Sequence, residues 1–432
     1  MKNQIELPYD FIPRDYQMPL WKHLEGGGRK ACVVWHRRAG KDLFAINRIA
    51  CASQERIGTY WHVLPTYNQG RKIVWDGSTK DGRKFLDHFP RDLIASKNNT
   101  DMRITFKNGS VYQVVGADDP DRLVGANPVG VVFSEYSLMD PKVYTLIQPI
   151  LSENEGWCLF IFTPRGKNHG WKLMEVAKES PNWYGEVLGV DTTGAVPVAR
   201  IDEDREAGMP EEMVKQEYYC SFEAPIVGAY YANQMMYLQE KGQIANVPWE
   251  PTIDVHTAWD LGVSDSTCIW FYQQVNKEIR VIDYYESSGE GLGHYVKILG
   301  SRPYSYGDHF APHDIAVREL GSGKSRLETA RSLGIRFRVV QRHEVMDGIE
   351  SVRNILPKCW FDKEATDRGL QCLRSYRKEW DEKNQTYAER PKHDWASHGA
   401  DAFRYLAWGF RGAKKDRRDF PEKALDEWNV FS

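Results

Sequence analysis

Two groups of residues in this 432-residue chain could do chemistry on phosphates. The first begins where the apolar run 31–36 (ACVVWH) meets Arg37-Arg38-Ala39-Gly40-Lys41-Asp42 and then a helical stretch, LFAINRIA. Strand, loop and helix in that order are the context a phosphate-binding loop requires. Gly40 lets the backbone approach an anion, and Lys41 supplies a point charge for β and γ phosphates. The first amides of the following helix point at the same place. Two positions depart from the usual loop: Trp35 stands where the first glycine would be, and Asp42 stands where a Ser or Thr hydroxyl would ligate magnesium. Taken alone, the segment also reads as an ordinary basic loop.

A second element adds weight. The apolar run 129–134 (VGVVFS) ends in Ser134-Glu135, where a Walker B strand carries an Asp that binds Mg²⁺ and a Glu that activates water. Here the Asp is a Ser. The two replacements are complementary, since a carboxylate has come to position 42 and a hydroxyl to position 134, so a Mg²⁺ shell would keep one of each. Glu135 is then the candidate base; the plainer account is a surface carboxylate after a buried strand. The run 157–162 (WCLFIF) ends in Thr163-Pro164-Arg165-Gly166, where Thr163 at the neighbouring strand tip would sense the γ-phosphate and pass on its loss. Upstream, Tyr16 and Gln17 suit adenine recognition by ring and amide, or else belong to an amphipathic helix start. Arg122, in DRLVG, is a candidate arginine finger for a neighbouring subunit's γ-phosphate, or a salt-bridge partner of Asp119 or Asp121.

The second group is acidic. VHTAWDLG ends a buried strand with Asp260, Asp314 follows in APHDIAV, and His398 and Asp401 sit three residues apart on one face of a predicted helix, HDWASHGADAFRYLAW. Two-metal phosphodiester hydrolysis needs several acidic ligands around ions roughly 4 Å apart. Asp260, Asp314 and Asp401 offer the oxygens that Mg²⁺ or Mn²⁺ prefer, and His398 favours Mn²⁺. A carboxylate on the first strand of a hairpin is how a nuclease of the ribonuclease H type begins. Asp265 and Asp394 are weaker candidates, each explained equally well as a cap. Gly321-Ser322-Gly323-Lys324-Ser325 imitates a phosphate loop, but no buried strand precedes it, so a turn and helix cap is the better reading.

The elements that must position these residues follow from patterning. Four short apolar runs at 31–36, 60–64, 129–134 and 157–162 alternate with helical stretches, which favours a mostly parallel α/β sheet buried on both faces. Residues 101–106 and 110–116, joined by Lys107-Asn108-Gly109, predict a β-hairpin added to it. The rhythm breaks at Pro225, Gly228, Gly242 and Pro248, and three strand-like runs then open a second α/β domain. The expected division is 1–224, a linker at 225–252, a second domain at 253–412 and a charged tail at 413–432. Composition is globular, with 41% hydrophobic and 27% charged residues. No apolar stretch approaches the roughly 20 residues of a membrane span, and MKNQIELPYD lacks a signal-peptide pattern, so a cytoplasmic protein without membrane contact is expected. Seven scattered cysteines with no CxxC pair argue against a zinc site or a disulfide framework. A formal charge of -3 means that any nucleic-acid contact must come from local basic clusters.

Taken in order, RRAGKD, VVFSE, FTPRG, WDLG, PHD and SHGADAFRY resemble the large terminase family of tailed bacteriophages, from Tyr16 to about Leu406. EEMVKQEYYCSF is similar to the helical close of that family's ATPase half. The resemblance implies a P-loop ATPase domain of the ASCE type followed by a ribonuclease H-like nuclease domain. It implies that Lys41 and Glu135 serve ATP hydrolysis, Arg37 or Arg38 contacts phosphate, Thr163 couples, and Asp260, Asp314, His398 and Asp401 hold nuclease metals. Its cofactors would be ATP with Mg²⁺, and two Mg²⁺ or Mn²⁺ ions at the nuclease. Its partners would be double-stranded DNA, the portal protein and a small terminase subunit, with a homo-oligomeric ring on the portal when active and a monomeric state left open in solution. The host cytoplasm, not the mature virion, would be its place. Three rivals remain: a helicase-like ATPase, which needs a second RecA-like lobe, a resolvase-like nuclease fused to an inactive nucleotide domain, and a structural virion protein.

Overall fold

A computed structural model describes residues 6–123, 125–223, 228–262, 266–318, 323–381 and 386–416, with backbone alone at 121, 122, 380, 381, 386, 387 and 411–416. The chain divides into two compact units, Met1–Pro225 and Ile226–Ser432.

The first unit is built on strands β1 (Lys30–Trp35), β2 (Thr59–Leu64), β3 (Ile94–Asn98), β4 (Arg103–Phe106), β5 (Val111–Gly116), β6 (Pro128–Ser134), β7 (Trp157–Phe162) and β8 (Tyr184–Leu188). Their order across the sheet is β3-β4-β5-β2-β6-β7-β1-β8. From β5 to β8 every neighbouring pair is parallel. Side chains alternate between two faces, as strand geometry demands. Ala31, Val33 and Trp35 pack with Phe44, Ala45 and Ile49 of the helix Lys41–Glu55 on one side. Cys32 and Val34 pack with Val143 and Ile147 of the helix Lys142–Glu153 on the other. Both faces being covered, these strands must be apolar throughout, which is why they read as continuous runs.

This order seats β7 between β1 and β6, the strand-inserted arrangement of ASCE-type P-loop ATPases. The segments after β1, β7 and β6 therefore leave neighbouring parallel strands at one sheet edge, where open α/β sheets bind ligands. The expected hairpin is present as β4 and β5, with Gly109 at φ +92° in its turn. β5 also pairs in parallel with β2, so the hairpin extends the main sheet.

The second unit contains β9 (Ile244–Ala245), β10 (Val255–Asp260), β11 (Ser266–Val275), β12 (Glu278–Ser288), β13 (Tyr306–Ala311), β14 (Phe337–Val339) and β15 (Cys359–Asp362), in the order β14-β13-β10-β11-β12-β15-β9. β10, β11 and β12 form an antiparallel meander, while β13 runs parallel to β10 and β14 parallel to β13. A meander continued on its first strand by parallel neighbours is the ribonuclease H-like sheet. A separate hairpin pairs β16 (Lys378–Asp381) with β17 (Thr386–Pro391). The helix Ser397–Asp416 packs on β10 and β11. It approaches closely because Gly399 has no Cβ: one added there would lie 2.8 Å from Cys372 Sγ and from the Tyr284 hydroxyl.

Two boundaries differ from expectation. Much of the expected linker 225–252 is folded into the second unit: Tyr231, Met235 and Leu238 are buried with its core, and β9 pairs with β15. Its Pro and Gly residues flank these short elements and hide them from a pattern search. The last helix continues to Asp416, beyond the expected domain end at 412, and the rest of the tail lies outside the described residues. Of the imitation phosphate loop, the described part is a cap: Ser325 accepts from the Glu328 amide at 3.1 Å and heads the helix Arg326–Ser332. Among the described residues, no helix is long and apolar enough to cross a membrane.

Candidate functional site

In the first unit, the turn after β1 brings Gly40 to φ +78°, a left-handed conformation that a side chain would strain, and the helix Lys41–Glu55 starts immediately after it. Lys41 folds back beneath the loop. Its ammonium donates to the carbonyls of Trp35 at 3.1 Å and His36 at 3.3 Å, and to the Thr163 hydroxyl at 3.1 Å. The expected phosphate lysine and the expected coupling residue thus touch. The Tyr16 hydroxyl and the Gln17 amide each donate to the Ala39 carbonyl at 2.9 Å. These two residues brace the loop's backbone, a role that the sequence reading did not foresee.

Asp42 and Ser134, the complementary pair, are in direct contact: the serine hydroxyl donates to Asp42 Oδ1 at 2.6 Å. His62 Nε2 reaches the same oxygen at 3.2 Å. Burial pushes the Asp42 carboxyl up, but His62, Ser134 and Lys41 together hold it below the usual carboxylate range. Glu135 follows β6 in a left-handed backbone conformation, φ +56°, its amide bonded to the Ile161 carbonyl at 2.8 Å. The turn after it is fixed to the tip of β7 by Ser137, whose hydroxyl donates to the Thr163 carbonyl at 2.9 Å.

Arg38 is exposed, and Arg37 pairs at 3.4 Å with Glu217, which the helix Glu211–Glu217 buries to 3% exposure. Arg165 holds the other oxygen of Glu217. Burial alone would raise the Glu217 carboxyl; Arg165, Arg37 and Gln216 bring it below its ordinary value. A buried carboxylate takes the nearest cations in preference to leaving them free. Arg122 lies in the short turn Pro120–Leu123, and its side chain is outside the described ones.

In the second unit, Asp260 ends β10 and pairs with His398 Nδ1 at 3.0 Å. Asp401, one turn along the helix, accepts from the Tyr376 hydroxyl at 2.9 Å and pairs with Arg404 at 3.2 Å. Burial raises the Asp401 carboxyl, and Asp260 adds to this while Arg404, Tyr376 and His398 oppose it. Asp314 stands exposed on the turn His313–Ala316. Burial pushes the Tyr405 phenol up, and the charges of Asp260, Asp401 and Asp314 all act on it in the same direction. All three aspartates therefore lie within electrostatic reach of one phenol.

Among the described residues, no group of three or more His, Cys, Asp or Glu side chains is arranged to hold a metal ion. His398 pairs with Asp260, Arg404 and Tyr376 hold Asp401, and Asp314 faces solvent. As chemistry, two carboxylates and an imidazole remain a fitting donor set for a hard divalent ion. Asp394 pairs with Arg377 at 3.1 Å and accepts from the Ala396 amide at 3.1 Å, the cap reading. Asp265 lies outside the described residues.

His62, Tyr112, Glu217, Tyr376 and Arg404 escaped the sequence reading. All but Arg404, which sits one helical turn from Asp401, act on a residue distant in sequence, so only the fold brings them into view. A histidine inside the apolar run YWHVL was the one available signal, since a buried imidazole needs partners.

No family model matches the chain. It is 21% identical over 322 residues to the large terminase subunit of Escherichia phage T5, covering 72% of each. It is 28% identical over 155 residues to that of Thermus virus P23-45, covering 32% of this chain and 31% of the other. The large terminase of the thermophilic bacteriophage D6E, crystallised with ATP-γ-S, aligns over 92% of this chain and 98% of its own at 15% identity and a TM-score of 0.40. That superposition is loose, and the fold assignment stands on the strand orders given above. In sequence, then, this chain is similar to the large terminase subunits of phages.

Proposed function

We propose that the chain is the motor and cutting subunit of a phage DNA-packaging machine, hydrolysing ATP in its first unit and cleaving double-stranded DNA in its second. The observation that carries the ATPase reading is Lys41, whose ammonium bridges the tip of β1 to Thr163 beyond β7. Its present acceptors are all neutral. A phosphate oxygen forms a stronger, charge-assisted bond, so nucleotide draws Lys41 away from Thr163 and leaves that hydroxyl to report γ-phosphate loss. Gly40 and the first amides of the helix Lys41–Glu55 cradle the phosphates. Glu135 orients the attacking water, while Asp42 and Ser134 would hold Mg²⁺, which neutralises charge on the β and γ oxygens.

In the second unit, Asp260, Asp401 and His398 would hold Mg²⁺ or Mn²⁺, with Asp314 joining from its exposed turn. A divalent ion there supplies an activated water and stabilises the leaving oxygen. The Tyr376 and Arg404 contacts keep Asp401 in place until then. By its likeness to the relatives, the chain would work as a ring on the portal protein, in the host cytoplasm, with a small terminase subunit selecting the DNA. A helicase reading requires a second RecA-like lobe, and the antiparallel meander of the second unit is a different fold.

The test is paired. Glu135→Ala is expected to lose ATP turnover and keep manganese-dependent plasmid cleavage, and Asp401→Ala to do the reverse. If neither variant loses its matching activity, the assignment fails.

A further inference from the structure

Histidine is costly to bury unless both ring nitrogens find partners. His62 is wholly buried in the middle of β2, and both of its nitrogens are engaged. Nδ1 lies 3.3 Å from the hydroxyl of Tyr112, itself fully buried on the neighbouring β5. Nε2 lies 3.2 Å from Asp42 Oδ1. A phenol donating into Nδ1 leaves the ring proton on Nε2, aimed at the carboxylate; the bond network assigns this tautomer. Ser134 on β6 donates to the same oxygen at 2.6 Å. Groups from β2 and β6 thus converge on one oxygen of one side chain, with the phenol from β5 backing the first of them, while Oδ2 takes part in neither bond.

The convergence answers a problem that the Ser or Thr of the usual loop does not pose. A hydroxyl on a short side chain offers one oxygen. Aspartate offers two, and rotation about its last torsion is broad, so an untethered carboxylate would spread its charge over many orientations. Two donors on Oδ1 remove that freedom.

We propose that His62, with Tyr112 behind it, is a positioning residue for Asp42: it fixes Oδ1 so that Oδ2 is presented to the Mg²⁺ of a bound Mg-nucleotide. This rests on the reading of Asp42 as a metal-facing group. It makes the Asp-for-Ser replacement one part of a set, with His62, Tyr112 and Ser134 as the others.

The experiment measures ADP affinity of the full chain by calorimetry, once in Mg²⁺ and once in EDTA, and takes the ratio. His62→Leu is expected to lose about 10–100-fold of the magnesium-dependent gain while metal-free affinity stays within about twofold. His62→Gln, which keeps an N–H on a side chain of similar reach, recovers most of the gain. Tyr112→Phe removes one oxygen from a packed ring and should lose about 2–10-fold. It carries the test by itself if His62→Leu does not fold. A full magnesium gain in the His62 and Tyr112 variants, with Asp42→Asn losing it, overturns the positioning role and leaves the Asp42 reading intact. A full gain in Asp42→Asn as well overturns both. Equal losses with and without magnesium in Tyr112→Phe mark a merely structural network and overturn the proposal too.

Discussion

Lys41 is buried to 7% exposure, so its ammonium must satisfy its donors inside the protein, and it does so on two carbonyls and the Thr163 hydroxyl. Replacing it with Met removes that positive charge from beneath the loop. ADP affinity should then fall by about 1.5–3 kcal/mol, the usual value of a charge-assisted bond, read by calorimetry. Thr163→Val should leave affinity within about threefold, since the hydroxyl only holds Lys41 in waiting. The opposite ranking would show that Lys41 does not meet phosphate. Glu217 makes a second residue-scale case. Its carboxylate is held down by Arg165 and Arg37 against the cost of burial, so Glu217→Gln should cost roughly 1–3 kcal/mol in urea unfolding at neutral pH. The sign with pH follows from linkage. A carboxyl depressed in the folded state stabilises fully above its unfolded pKa, about 4.3, and loses that contribution as pH falls through the folded value. The gap between wild type and variant should therefore narrow below about pH 4.

At the scale of elements, the loop after β1 shows how a local conformation is forced. Gly40 sits at φ +78°, and a Cβ there would meet Gln17 Nε2 at 3.3 Å. Gly40→Ala should destabilise by about 1–2 kcal/mol through left-handed strain and weaken nucleotide binding in the same variant. Thermal unfolding and ADP titration would check both. Elements of this kind were legible because their signals are local. A buried β-branched run followed by a glycine and a lysine declares itself at 31–41, and Lys107-Asn108-Gly109 declares the hairpin. β3 and β8 gave no such signal: IASKN is mostly exposed and YGEVL half-buried, because both lie at sheet edges. The second acidic site was legible as residue types and helix spacing, but not as geometry. Whether Asp260 meets His398 depends on how one helix lands on β10. That landing is set by Gly399 and by Trp270, whose indole donates to the Gly399 carbonyl at 2.8 Å.

Trp270 carries the argument to the whole molecule. It is fully buried and packs against Tyr284, Phe361 and Phe403 in the core of the second unit. The first unit has cores of its own, one on each face of its sheet. Two domains with separate cores are expected to open as separate cooperative units. Trp270→Ala should cost about 3–5 kcal/mol, by lost burial, a cavity and an orphaned carbonyl, all of it in the second unit. Amide hydrogen exchange should then quicken in β10, β11 and the helix Ser397–Asp416, while β1, β6 and β7 exchange as before. DNA cleavage should fall, because the helix that carries His398 and Asp401 loses its seat, whereas ADP affinity should be unchanged. Faster exchange in β1 or weaker ADP binding would mean that the nucleotide site depends on the second core, and that the chain folds as one cooperative body.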